Sequence, residues 1–246
     1  LIDMNEYKKL IFVSGTGRSG THLIGRTISS HPDITGRIES PSTFDLITKI
    51  ATSQDFKPSW QISILKYKLK LRLRNILKNS TNDILEKSHP SLWLVDFLIK
   101  EFNSKFILVY RDVEPTVSSM LEHRGVLSWY NILPMKKPNR FLGITKQNLN
   151  NFKNYTIEEK CALRWESHYK RIFNLNKKYP DNTFVIKYDD FLINPKPILE
   201  KLSLFLKISN DFRTEKFKTD SLDKWQQKLN DEQIKRIRKI TYANTK

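Results

Sequence analysis

The chain has 246 residues, 43 Lys and Arg against 26 Asp and Glu, and a formal net charge of +17. Its length suits one α/β domain, no run reaches the ~18 apolar residues a membrane span needs, and the single cysteine, Cys161, excludes an intramolecular disulfide. The charge favours an anionic partner (nucleic acid, a membrane surface, or an anionic nucleotide or glycan), and nucleic acid is not expected because no motif for binding it accompanies the charge.

The first expected element is an apolar strand at 8–14. A helix at 20–31 follows, with Leu23, Ile24, Thr27 and Ile28 on one face. His31-Pro32-Asp33 ends it, because the residue before a proline disfavours the α region. A short strand is expected at 34–38. Residues 60–78 carry two signals. Lys66, Lys68, Lys70, Arg72 and Arg74 alternate with Tyr67, Leu69, Leu71 and Leu73, whereas Ile62, Leu65, Leu69, Leu73 and Ile76 are spaced by three and four. Leu, Lys and Arg are good helix formers, which favours a basic amphipathic helix. A solvated face is the ordinary reading of its charges; an anionic glycan or lipid headgroup is the functional one. A helix at 92–102, a buried strand at 105–110 and a helix with Pro115 in its first turn come next. Residues 128–155, with Pro134, Pro138, Gly143 and many asparagines, read as an irregular insertion or lid. Its Trp129, Tyr130 and Phe141 either stack on an acceptor ring or pin the loop to the core. A helix at 157–179, a strand at 183–187 and a helix at 195–206 follow. Asn230 caps a final helix, with Gln233 in the capping-box position. Strands alternating with helices imply a single α/β domain over 1–246, a three-layer α/β/α fold on a mostly parallel sheet. Ligands of such folds bind beyond the carboxyl ends of the strands.

Two groups of residues fall at such ends. Gly15-Thr16-Gly17-Arg18-Ser19-Gly20-Thr21 is a glycine-rich turn between strand and helix, the layout of a phosphate cradle at a helix N-terminus. A nucleotide-hydrolysing P-loop needs G-x-x-x-x-G-K-[ST]. Gly15 and Gly20 have that spacing, but Thr21 stands where the lysine belongs and the positive charge is at Arg18. Arg111 ends the second buried strand, and Ser119 lies eight residues on. A guanidinium fork and a hydroxyl two turns along the next helix can hold one phosphate. Equally, Arg111-Asp112 can cap the helix, with Ser119 a surface residue.

Residues 11–39 and 105–121 together resemble the two co-substrate motifs of the sulfotransferases that use 3′-phosphoadenosine 5′-phosphosulfate (PAPS). The first is the loop G-x-x-R-S-G-T, here Gly15–Thr21, followed by a helix and His31-Pro32-Asp33; the second is Arg111 with Ser119. Glu86-Lys87 before a proline, Leu163-Arg164-Trp165, Val185–Asp190, and Ser221 with Lys224-Trp225 extend the similarity toward the C-terminus. The resemblance implies a P-loop-like sulfotransferase fold, PAPS as co-substrate, adenosine 3′,5′-bisphosphate (PAP) as product, and no metal. It implies that Gly15, Thr16, Gly17, Arg18, Ser19, Gly20, Thr21 and His22 surround the phosphosulfate. Arg111 and Ser119 would hold the 3′-phosphate, and Tyr188, Ser221 and Lys224 would complete the nucleotide site. This sequence departs from the family pattern at His22, where a small hydroxyl residue is common, and at Val113, where proline is common. Ser88 and His89 also separate Lys87 from Pro90.

The similarity is nearest to the tyrosylprotein and carbohydrate sulfotransferases. Glu39 lies 21 residues after Arg18, where the tyrosylprotein enzymes place a catalytic glutamate. The resemblance implies Glu39 as the base, Lys87 at the transferring sulfonate, and Arg18 with the loop at the leaving group. A surface glutamate is the plainer alternative. His89 is a rival base, since an unperturbed imidazole titrates near neutrality. The expected activity is in-line transfer of a sulfonate to a carbohydrate hydroxyl, with tyrosine or lipid hydroxyls as alternative acceptors. A P-loop kinase, which Thr21 disfavours, and a non-enzymatic polyanion-binding module are the other classes. A cytoplasmic, bacterial-type protein is expected, and an anchor preceding Leu1 would be compatible with the sequence.

Overall fold

Five short strands pair in one sheet. The computed structural model describes residues 8–213, 217, 219 and 222–242. Its strands are β1 (Leu10–Gly15), β2 (Ile34–Ile38), β3 (Asp83–Lys87), β4 (Lys105–Tyr110) and β5 (Thr183–Lys187), in the order β2-β3-β1-β4-β5. All four pairings are parallel, so every strand delivers its carboxyl end to the same edge.

Alternation along β1 assigns the two faces. Leu10 and Phe12 point with Phe106 and Leu108 into one core, where the Phe12 and Phe106 rings stack at 5.0 Å. Ile11 and Val13 point with Ile107 and Val109 into the other. The second core is closed by α1 (Thr21–Ile28), α9 (Tyr188–Ile193) and α10 (Pro195–Leu206), through Ile24, Ile28, Phe191, Leu199 and Leu202. The first core is closed by α2 (Pro41–Ser53), α3 (Ser59–Lys78), α4 (Val95–Phe102), α5 (Val113–Leu121) and α8 (Ile157–Lys178). Two one-turn helices, α6 (Arg124–Leu127) and α7 (Trp129–Ile132), follow α5, and α11 (Lys224–Lys228) and α12 (Asp231–Tyr242) end the described chain. The three-layer α/β/α reading holds, and the sheet is wholly parallel. At the last helix, Gln233 N–H donates to Asn230 Oδ1 at 2.9 Å and Asn230 N–H to Gln233 Oε1 at 3.1 Å, the expected capping box.

Three local expectations differ from the structure. Strand β3 was not among the expected strands, because Asp-Ile-Leu-Glu-Lys carries charge at three of five positions. Each charge is met by a partner distant in sequence: Asp83 by Lys9 at 3.3 Å, Glu86 by Arg37 at 2.5 Å, and Lys87 by Glu39. Helix α2 carries no strong periodic signal but starts on Pro41, a favoured first helical residue. The helix expected at 92–102 is a 3₁₀ turn at His89–Trp93 followed by α4. The double signal at 60–78 is also resolved. Helix α3 buries Ile62, Leu69 and Leu73 and exposes Trp60, Ile64, Tyr67 and Leu71. Apolar residues on two opposite faces, with cations between them, produce the appearance of alternation.

Segment 128–155 places Tyr130, Phe141, Leu142, Ile144 and Phe152 in the first core. Its carbonyl at Phe141 lies 3.0 Å from His168 Nε2, on α8. Burial pushes the His168 imidazole down to about 3, and burial likewise pushes His89 down to about 4 against the opposing hydrogen bond that its ring donates to Glu39. Both rings are therefore neutral in the folded protein at acid pH values where the unfolded chain binds a proton on each. Stability should fall with pH between the unfolded histidine value of ~6.5 and ~4, by up to ~1.4 kcal/mol per pH unit for each ring. Urea titrations across that range check this, and His168→Gln should flatten the slope.

Candidate active site

Three strand ends form the floor of the site. Lys87 pairs with Val13 on one side and Ile38 on the other, so the ends of β1, β3 and β2 are adjacent. The chain leaves β1 at Gly15, where a Cβ would stand 2.0 Å from the Val109 carbonyl oxygen. Only glycine fits so close an approach. Arg18 (φ 76°) and Gly20 (φ 87°) then turn the loop into α1, and a Cβ on Gly20 would overlap the Tyr188 ring. Ser19 Oγ ties the loop down by donating to the Thr16 carbonyl at 2.5 Å and sharing the Val109 carbonyl at 3.3 Å. The amides of Gly17, Arg18, Gly20, Thr21 and His22 donate to no carbonyl or side chain among the described residues. Unpaired N–H groups at a helix N-terminus favour an anion.

Glu39 leaves β2 with φ 49°, left-handed backbone that costs a non-glycine residue roughly 1–3 kcal/mol. The turn is over-determined. Glu39 N–H donates to the Lys87 carbonyl at 3.0 Å, and Arg37 donates to Ser40 Oγ at 2.8 Å and Ser42 Oγ at 3.0 Å. Arg37 Nε also donates to the buried Glu86 carboxylate, which accepts from Thr43 Oγ1 at 2.8 Å. Removing one partner of a buried pair strands the other charge, so Arg37→Met should cost on the order of 3 kcal/mol. That corresponds to a melting temperature lower by ~6–12 °C. Arg37→Met combined with Glu86→Met should recover most of the loss, as differential scanning calorimetry would show.

The Glu39 carboxylate is the centre of a cluster. Lys87 Nζ donates to it, His22 Nε2 lies at 3.5 Å from Oε2, and His89 Nδ1 lies at 3.5 Å from Oε1. Lys87 Nζ is also 3.0 Å from His22 Nδ1. Burial alone would raise the carboxyl pKa; hydrogen bonds from His22, His89 and Lys87, with the Lys87 charge, outweigh it and hold Glu39 far below the usual carboxylate range. Burial pulls Lys87 down, opposed by Glu39, so its ammonium depends on that carboxylate or on another anion. Its stem crosses α1 at Gly25, where a Cβ would approach Lys87 Cγ to 3.0 Å. A glycine inside a helix usually costs stability; here it gives Lys87 its path.

The nucleotide-side residues divide. Arg18 Nε donates to Ser119 Oγ at 3.1 Å, so the loop and the second motif meet directly. Arg111 donates instead to Asp189 at 2.8 Å and lies over the Tyr188 ring at 5.2 Å. Tyr188 thus touches both Gly20 and Arg111. Lys224 is exposed at the start of α11, which packs on α5. Ser221 lies outside the described residues.

Between the loop and the cluster is a cavity of about 270 Å³. Gly17, Arg18, Thr21, His22, Glu39, Lys87 and His89 line one part; Phe44, His123, Gly125, Val126 and Trp129 line the other. The His89 ring stacks against Trp129 at 5.9 Å and meets Phe44 at 5.9 Å. Phe44 and His123 were missed in the sequence; Phe44 sits on α2, an element with no clear pattern, and nothing local marks either one. Arg164 was matched but given no role. It is fully buried between Trp129 and Phe141, 4.5 and 4.6 Å from their ring centres, and its nearest guanidinium nitrogen is 3.5 Å from the Cβ position of Gly17. A larger open groove of about 940 Å³ along α8 is lined by none of the loop or cluster residues.

The chain matches the model of the sulfotransferase family over residues 11–213. A putative protein-tyrosine sulfotransferase of Caenorhabditis briggsae is 19% identical over 216 residues, covering 82% of this chain and 67% of that protein. Among solved structures, the sulfotransferase domain from the curacin biosynthetic pathway aligns over 95% of this chain and 96% of its own, with a TM-score of 0.58 and 13% identity. The sulfotransferase domain from the Synechococcus PCC 7002 olefin synthase aligns over 97% and 96%, with a TM-score of 0.56 and 13% identity. At these identities the two structures establish a shared fold.

Proposed function

The chain belongs to the sulfotransferase family, and from that premise we propose that it transfers the sulfonate of PAPS to an acceptor hydroxyl, with Glu39 as base. The observation that carries the reading is the convergence of Glu39, Lys87, His22 and His89 beside an anion-ready loop in one cavity. PAPS supplies a sulfonate already bonded to a phosphate leaving group. The loop fits such a group, since it leaves amides without a protein acceptor among the described residues, and Gly17, Arg18, Thr21 and His22 line the cavity that Lys87 reaches. Arg111 and Ser119 would hold the 3′-phosphate, and Tyr188 would pack beside them. Ser221 and Lys224 belong to the same proposed nucleotide site.

Each catalytic group has one task. Glu39 accepts the hydroxyl proton of the acceptor, within hydrogen-bond reach of the cavity. Lys87 and Arg18 stabilise negative charge on the transferring group and the leaving oxygen. While Lys87 holds Glu39, the carboxylate is a weak base. An anion in the loop offers Lys87 a second acceptor, and drawing the ammonium away raises the basicity of Glu39. His89, neutral near pH 7, meets the same carboxylate oxygen as Lys87 and is the base in reserve.

The acceptor proposed is a ring-bearing hydroxyl, with a carbohydrate first. Phe44 and Trp129 offer flat walls against which a sugar face packs. Tyrosine is the second reading, favoured by the name of the Caenorhabditis briggsae relative; a lipid hydroxyl is a third. An acceptor screen with radiolabelled donor decides among them. The donor site is tested by PAP binding in calorimetry. Arg18→Ala and Arg111→Ala should each weaken it by about ten- to a hundredfold, the worth of a charge-assisted contact. Unchanged affinity in both would overturn the reading.

A further inference from the structure

Helix α3 has a feature that sulfonate transfer does not use. Trp60, Ile64, Tyr67 and Leu71 are 62%, 47%, 60% and 47% exposed. Their spacings of four, three and four place them in one straight stripe along the helix, opposite the buried Ile62, Leu69 and Leu73. Single exposed apolar residues need no explanation, but four in a row form a contiguous patch.

Its surroundings say what kind of surface covers it. The helix sequence contains six Lys and Arg and no acidic residue. Lys70 is ion-paired with Glu101, Lys66 lies over the Phe97 ring at 5.6 Å, and Arg72 donates to the Ser42 carbonyl. Lys68, Arg74 and Lys78 are exposed beside the stripe and form no ion pair among the described residues. A second copy of the chain would bring the same cations together, so self-association is opposed by charge. A nucleic acid would match the cations and leave Trp60, Ile64 and Leu71 in water. An anionic lipid surface meets both demands at once. Trp and Tyr rings suit the headgroup level, Ile and Leu reach the acyl boundary, and Lys and Arg snorkel to the phosphates.

We propose that α3 is an interfacial helix whose Trp60–Ile64–Tyr67–Leu71 stripe docks the protein on an anionic lipid surface, with Lys68, Arg74 and Lys78 at the phosphates. No helix among the described residues is long and apolar enough to cross a membrane, so α3 lies along the surface. At 20 residues it presents a contact roughly 30 Å long. The surface is independent of the cavity and of its chemistry.

The test is co-sedimentation of the purified full chain with vesicles of phosphatidylcholine, with and without about 30% phosphatidylglycerol. Binding should need the anionic lipid and fall as salt rises. The triple variant Lys68→Gln/Arg74→Gln/Lys78→Gln should lose on the order of a hundredfold in partitioning. Trp60→Ser/Ile64→Ser/Tyr67→Ser should lose at least about tenfold. All six positions are exposed, and unchanged circular dichroism and melting temperature would confirm intact folds. Three results would overturn the proposal: no binding to anionic vesicles, binding that the stripe variant leaves intact, or a stripe variant that only converts a dimer to a monomer in light scattering.

Discussion

Lys87→Met should leave an enzyme that binds nucleotide but barely turns over. Lys87 is almost fully buried, with its ammonium between Glu39 and His22 at the end of β3. Methionine fills the same path across Gly25, so the stem packing survives and only the charge is lost. Removing a preorganised donor from a water-poor site typically costs ~10²–10³ in kcat. PAP affinity should stay within a few-fold, because the loop amides, Arg18 and Arg111 remain. Glu39 should also lose the Lys87 hydrogen bond and charge, and its carboxyl pKa should move up toward the ordinary range. Carbon-13 NMR of labelled glutamate in the variant would register that rise. A kcat within about threefold of wild type would remove Lys87 from the catalytic set.

The second large effect is at the base. Glu39→Gln preserves size and the hydrogen bonds to Lys87 and the histidines, but the amide oxygen is a far poorer proton acceptor. Turnover should fall by ~10²–10⁴ at saturating donor. PAP binding should be nearly unchanged, since the loop amides and Arg18 are untouched by the substitution. The pH profile adds a check. With Glu39 depressed far below its usual value and His89 at about 4, the wild-type rate should show no loss of base between pH 5 and 8. Full activity in Glu39→Gln would move the base to His89, and His89→Asn would then be the inactive variant.

Much of this arrangement was legible in the sequence, and the reasons are local. A glycine-rich turn between an apolar strand and a helix announces itself through spacing alone. Four of the five strands, and helices α3, α5, α8, α10 and α12, follow from apolar periodicity and caps. The basic character of α3 was plain as well. What periodicity alone left open was whether its alternating leucines and lysines meant a strand or a helix apolar on two faces.

The sequence by itself determined the anion-binding loop, the chain order of strands and helices, and the family to which the chain belongs, because each is written in residues close together along the chain. The tertiary structure alone decided the strand status of Asp83–Lys87 and the pairing of Arg18 with Ser119. It alone brought Glu39, Lys87, His22 and His89 together, with Glu39 and Lys87 48 residues apart in sequence. The physical reason is the same in each case. A charge in a short strand reads as surface until its partner arrives from another strand, and a parallel sheet supplies that partner only after a long crossover. The resemblance implied Glu39 as the base, with a surface glutamate as the plainer alternative; packing of three strand ends made it the centre of a half-buried, charged cluster.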